Sequence, residues 1–210
     1  MLSSISGGAA ISRPYEDPVG DDCRVYVFTL GGTIDKDYPK LTSGYAFEFG
    51  DESAAQRILE THPNLGISYK IKSICKKDSL EIAPNDRDNL CLEIENMIEM
   101  RRYHLESLLR IVVTHGTDTM IETAMYIKNK IKAKNWGLTP HFVIAFTGAT
   151  KPERFVDSDA SFNVGCAVAA TSCPCEPWSV VICMNGNVIP VEQCVRDEAS
   201  GLFMKVVVKK

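Results

Sequence analysis

The sequence has no apolar run approaching the roughly 20 residues a bilayer span requires, and no charged start leading into an apolar signal core. A membrane partner is therefore not expected, and a cytoplasmic setting with reduced thiols is. Positive charge is not in excess either: 23 Lys and Arg against 27 Asp and Glu give a formal net charge of -4. Binding nucleic acid needs a basic face to neutralise phosphates, and the only basic run, Lys128 to Lys134, reads as a helix end whose cations complement the macrodipole. No nucleic-acid partner is expected. Metal-ligand spacing is missing as well: Cys173 and Cys175 stand close together, but no second Cys/His pair at zinc spacing follows, so no metal is expected. Of the 8 cysteines, Cys75, Cys91, Cys166 and Cys183 lie inside apolar stretches, where a thiol behaves as a small hydrophobe rather than as part of a disulfide framework. There is no internal repeat, no linker to a second domain, and no G-x-G-x-x-G turn into a helix, since Gly31-Gly32 is followed by a long loop. A nucleotide-binding domain is disfavoured on that ground.

What is present suits one domain with a substantial core: 210 residues, 45% hydrophobic and 24% charged. Residues 1–22 are rich in Ser, Gly and Pro without periodicity and are expected to form a flexible arm, leaving residues 23–210 as a single domain. Val25 to Leu30 is a near-continuous apolar run, as a strand buried on both faces requires, and Leu109 to Thr114, His141 to Phe146 and Trp178 to Met184 read as further strands. Ile67 to Ile74 alternates and reads as a further strand. Helices are expected from Asp51-Glu52-Ser53 to His62, from Pro84 with Asn85 as its cap, over Asp118 to Lys132, and over Ser161 to Thr171. Leu90, Ile94, Met97 and Ile98 form the buried stripe of the second helix. Strand and helix alternate, which implies an α/β fold: an open, doubly wound, mainly parallel sheet with helices on both faces. The turn Asn185-Gly186-Asn187 and the tail Leu202 to Val208 predict a hairpin or edge strand at the C-terminal end.

Two turns stand out. Thr29-Leu30-Gly31-Gly32-Thr33 follows the first strand, and Thr114-His115-Gly116-Thr117-Asp118-Thr119 follows the third. Each places a threonine just past a strand's carboxyl end, in the crevice where open α/β sheets hold their ligands among loop amides and helix N-termini. The pair describes a two-threonine site. Cleaving a carboxamide there needs an activated nucleophile and donors for the oxyanion, and glycines beside the threonines let the backbone come close enough to supply amides.

The segments Gly31 to Ile34 (GGTI) and His115 to Thr123 (HGTDTMIET) resemble the two signature segments of the asparaginase family, amidohydrolases that use two threonines. The resemblance runs from about Arg24 to about Pro190 and corresponds to the N-terminal domain of that family. It implies hydrolysis of the side-chain amide of L-asparagine or glutamine to acid and ammonia through a threonine acyl-enzyme, with no cofactor. Thr33 is then the position of the primary nucleophile, Thr117 the second threonine, and Asp118 the carboxylate that holds the substrate's α-amino group. Gly32 and Gly116 line the site. Ser79 matches the serine for the substrate carboxylate, while the glutamine usual beside it is Leu80 here. The activating tyrosine of the family's mobile loop is Tyr38 or Tyr45. His115 is assigned a structural role, and Thr114 the hydrogen bonding of its turn.

Two departures accompany the resemblance. The family's catalytic lysine has no counterpart between Ser161 and Pro174, a stretch without lysine, and the aligned position is Cys173 or Pro174. Lys151, on the loop leaving the fourth strand, is the substitute base, its pKa to be lowered by burial; Lys151 or Arg154 equally suits a substrate carboxylate. The family's C-terminal domain completes a neighbouring subunit's site and is not matched here, so the crevice is expected to be finished by another copy, another chain or solvent, with a homo-oligomer foremost. The alternative reading is an amino-acid-binding module on the same fold, weakly active or inactive.

Overall fold

The computed structural model describes residues 24–37, 47–62, 64–100, 108–133, 141–173 and 179–206. In chain order the elements are β1 (Arg24–Gly31), β2 (Lys36–Asp37), β3 (Glu48–Phe49), α1 (Ala54–Glu60), β4 (Ser68–Lys77), α2 (Pro84–Met100), β5 (Leu109–Thr114), α3 (Met120–Ala133), β6 (Phe142–Thr147), α4 (Ala160–Ala170), β7 (Ser179–Met184), β8 (Asn187–Pro190), β9 (Cys194–Arg196) and β10 (Phe203–Lys205). The main sheet runs β4-β1-β5-β6-β7-β8. Its first five strands are parallel and β8 returns antiparallel to β7.

Alternation along each strand divides the interior in two. Phe28 and Leu30 of β1, Ile111 and Val113 of β5 and Phe146 of β6 pack with Leu90, Ile94 and Ile98 of α2 and Met120, Ala124 and Ile127 of α3. Val25, Val27, Val112, Val143 and Ala145 point the other way, onto Ala55 and Leu59 of α1 and Ala167 and Ala170 of α4. Helices therefore cover both faces, and every residue of β5 and β6 is buried, including the polar Arg110 and Thr114 of β5, which is why those strands read as mostly apolar.

Strand order places the site. The chain leaves β1 towards β4 on one side and leaves β5 towards β6 on the other, so the switch in direction falls between the adjacent strands β1 and β5. Their carboxyl ends carry the two threonine turns, at the position where such sheets open a ligand crevice.

Several expected boundaries shift for local reasons. The helix expected to start at Asp51-Glu52-Ser53 begins at Ala54, with Ser53 as its cap, the Ser53 hydroxyl accepting from the Gln56 amide. Asn85 is not the cap of α2; Pro84 is already its first residue, suited to a position that needs no N–H donor, and the Asp86 carboxylate accepts the Ala83 amide instead. The helix after the second motif begins at Met120, with the Thr119 carbonyl taking the Thr123 amide, so Asp118 stands outside it in the turn. β4 reaches Lys77, three residues past the alternating segment. The tail pairs over Phe203–Lys205 with β9 rather than with the main sheet, whose edge is β8. The segment after Thr33, read as loop throughout, has paired ends: β2 and β3 join antiparallel, Lys36 opposite Phe49. The arm over residues 1–22 lies outside the described residues, as do Tyr38 and Tyr45.

Candidate active site

Glycine packing brings the two threonine turns together. Gly32 has φ +85, and a Cβ there would lie 2.4 Å from both the amide nitrogen and the Cα of Gly116, so the residues immediately preceding Thr33 and Thr117 abut backbone to backbone. Gly31, at φ +91, sits equally close to Lys77, where the register of β1 against β4 slips and bends the end of β1. The third loop joins through Gly116, whose added Cβ would come 2.7 Å from that of Ser79. A fourth closes in from β6: the Glu153 amide donates to Ile34 O at 3.2 Å.

Ser79 is clamped in this cluster. Its carbonyl accepts the Thr119 hydroxyl at 2.6 Å, and its own hydroxyl donates to Asp118 Oδ2 at 3.1 Å. Asp118 is exposed and takes a second partner on Oδ1, the Arg196 guanidinium at the end of β9. Thr117 is buried and Thr33 half-buried at the rim. The structure thus places Gly32, Thr33, Ser79, Gly116, Thr117 and Asp118 in one cluster at the carboxyl ends of β1, β4 and β5. Leu80, beside Ser79, is 79% exposed.

Lys151 goes elsewhere: its ammonium pairs with exposed Asp157 on its own loop, and the cation on Asp118 is an arginine instead. The physical reason is proximity in chain, because Asp157 lies six residues away on the same turn. Arg154 pairs with Asp37 at 3.0 Å, holding the β6 loop to β2.

His115 is fully buried, and its Nδ1 donates to the Gly116 carbonyl at 2.8 Å while Nε2 has no partner among the described residues. Burial pushes its pKa down to about 4, so the ring is neutral at pH 7 and shapes the glycine turn. Thr114 does not serve the turn as expected. It is the last residue of β5, and its buried hydroxyl lacks a partner among the described residues. It forms a rung of threonines with Thr29 and Thr147 beneath the crevice.

Two residues escaped the reading of the sequence. Arg196 lies 78 positions from Asp118 in a short tail strand, and no local pattern announces the pair. Asp35 was legible in principle, as a charge set directly behind the first glycine turn. Its Oδ1 takes the Ala54 amide at 2.6 Å, and burial pushes its pKa up to about 6. It borders a cavity of about 140 Å³ that Thr29, Ser53, Gln56 and Lys76 also line.

Among the described residues no group of three or more His, Cys, Asp and Glu is placed to hold a metal ion, the cysteines are free thiols, and no helix is long and apolar enough to cross a membrane.

Residues 24–203 match the family model described as Asparaginase, N-terminal. A glutamyl-tRNA(Gln) amidotransferase polypeptide of Archaeoglobus fulgidus is 29% identical over 167 residues, covering 78% of this chain and 35% of that protein. Among solved structures, the thermostable L-asparaginase of Thermococcus kodakarensis superposes with a TM-score of 0.64 at 19% identity, over 87% of this chain and 51% of that one. L-asparaginase I of Vibrio cholerae gives 0.64 at 18%, over 87% and 51%. A probable cytoplasmic L-asparaginase of Campylobacter jejuni gives 0.63 at 18%, over 82% and 49%. The chain thus spans about half the length of these solved relatives.

Proposed function

The chain belongs to the asparaginase family, and from that premise we propose that it is an amidohydrolase releasing ammonia from a small primary amide, with L-asparagine and glutamine the substrates the family resemblance implies. The observation that carries this reading is the backbone contact of Gly32 with Gly116, because it brings the turns bearing Thr33 and Thr117 side by side at the carboxyl ends of β1 and β5. Thr33 attacks the amide carbon, the amide nitrogen leaves as ammonia, and water then cleaves the acyl-threonine ester to free acid. Amides of the glycine turns are the donors for the oxyanion. Thr117, Asp118 and Ser79 position the other end of the substrate.

A second reading, a ligand-binding module, is favoured by one observation. The cation at Asp118 is Arg196, and a guanidinium has no lone-pair acceptor to serve as a base for threonine. Ammonia release from asparagine and glutamine by the wild type, Thr33→Val and Thr117→Val separates the two. We expect a rate that falls at least ~10²-fold in each variant, as loss of a nucleophile or its partner requires. Equal rates in all three proteins would remove the assigned roles, and binding without ammonia release would establish the module.

A further inference from the structure

The Asp118–Arg196 pair points to a substrate class. Building on the amidohydrolase reading of the site, we propose that Arg196 is a specificity-determining residue that selects amides carrying a carboxylate but no α-ammonium group.

The two groups that would read an amino-acid head are already engaged with each other. Asp118 would take a ligand's ammonium and Ser79 its carboxylate, yet Ser79 donates its hydroxyl to Asp118 Oδ2 and the other carboxylate oxygen faces Arg196. A cation of the protein's own therefore occupies the place of the ligand's ammonium. An α-amino acid has to displace that guanidinium and then bear its positive charge beside it. A ligand without the amino group leaves the pair intact.

Arg196 is held in place rather than trailing in solvent. It closes β9, with Phe203 directly opposite on β10. Cys194 and Phe203, one from each strand, are buried in the core shared with α2 and α3. Nε of Arg196 lies 3.4 Å from the Gly201 carbonyl, which orients the fork while one terminal nitrogen donates to Asp118. The side chain keeps 33% of its surface exposed, and its hydrogen bonds to Gly201 and Asp118 use only Nε and one terminal nitrogen of the fork. A planar fork with spare donors is suited to a ligand carboxylate. Arg196 thus neutralises the carboxylate that would attract an ammonium and offers donors to an anion.

The test compares ligands that differ only in the amino group. Calorimetric titration of the full chain with succinate and with L-aspartate reads binding without requiring turnover, and we expect wild type to hold succinate at least fivefold more tightly. Arg196→Gln should erase or reverse that preference, and Arg196→Lys, which keeps the charge, should restore part of it. Wild type that favours L-aspartate, wild type that binds neither ligand, or a preference unchanged in Arg196→Gln would each overturn the proposal. Because the wild-type comparison stands alone, it decides the matter even if a variant fails to fold. Ammonia release from the monoamide of succinic acid, measured beside asparagine, reports separately on the reaction. A protein that prefers succinate yet releases no ammonia from either amide would refute the amidohydrolase reading and leave Arg196 its role.

Discussion

Two buried ionisable side chains near the crevice respond to pH in opposite directions. Asp35 is raised by burial from an ordinary 3.8 to about 6. Between about pH 4 and 6 the folded protein keeps a proton there that the unfolded chain has released, so the stability this group contributes is full below 4 and is lost as pH rises through 6. His115 is lowered by burial from 6.5 to about 4. Its contribution is full above 6.5 and is lost as pH falls through 4, because the unfolded chain binds a proton that the buried ring refuses. In the overlap the slopes of these two groups oppose each other. Asp35→Asn keeps the shape and an acceptor for the Ala54 amide but removes the ionisation. It is expected to raise the unfolding free energy at pH 7 by about 3 kcal/mol and to leave a stability that climbs from pH 4 to 6.5. Urea unfolding at half-unit pH steps checks this, and a profile matching wild type would contradict it.

At the scale of elements, the site depends on turns meeting without side chains between them. Gly32 adopts φ 85 and ψ -178, a region only glycine occupies readily, and it lies against Gly116 with no room for a Cβ. Gly32→Ala is therefore expected to cost about 3 kcal/mol or more, combining backbone strain with the displacement of the second turn. Gly165 of α4 has open space around it, so Gly165→Ala should be neutral or slightly stabilising. Thermal melting of the two variants side by side distinguishes a site-specific contact from a general intolerance of glycine replacement. Both glycine turns were visible in the sequence because their motifs are contiguous. The hydrogen bond of Ser79 to Asp118 was not, since it joins loops 39 residues apart whose approach is set by the order of β4, β1 and β5.

At the scale of the whole molecule, the centre of the sheet and its flanks differ in what holds them. β5 and β6 are buried along their whole length between two parallel neighbours, whereas among the described residues β4 is an edge strand and β9 pairs only with the three residues of β10. Amide exchange under native conditions should be slowest in β5 and β6 and faster by orders of magnitude in β4, β9 and β10. Uniform rates across these strands would show that the tail carrying Arg196 opens only with the entire domain. The sequence by itself determined the alternation of strand and helix, the doubly wound class, and the two threonine turns, because apolar runs, helical spacing and glycine motifs are local properties of the chain. Tertiary structure alone decided that Arg196 meets Asp118, that Lys151 turns away to Asp157, and that Asp35 is buried. These outcomes depend on which loops the strand order brings together and on where water is excluded, and a pairing between residues 78 positions apart leaves no periodic trace in the chain.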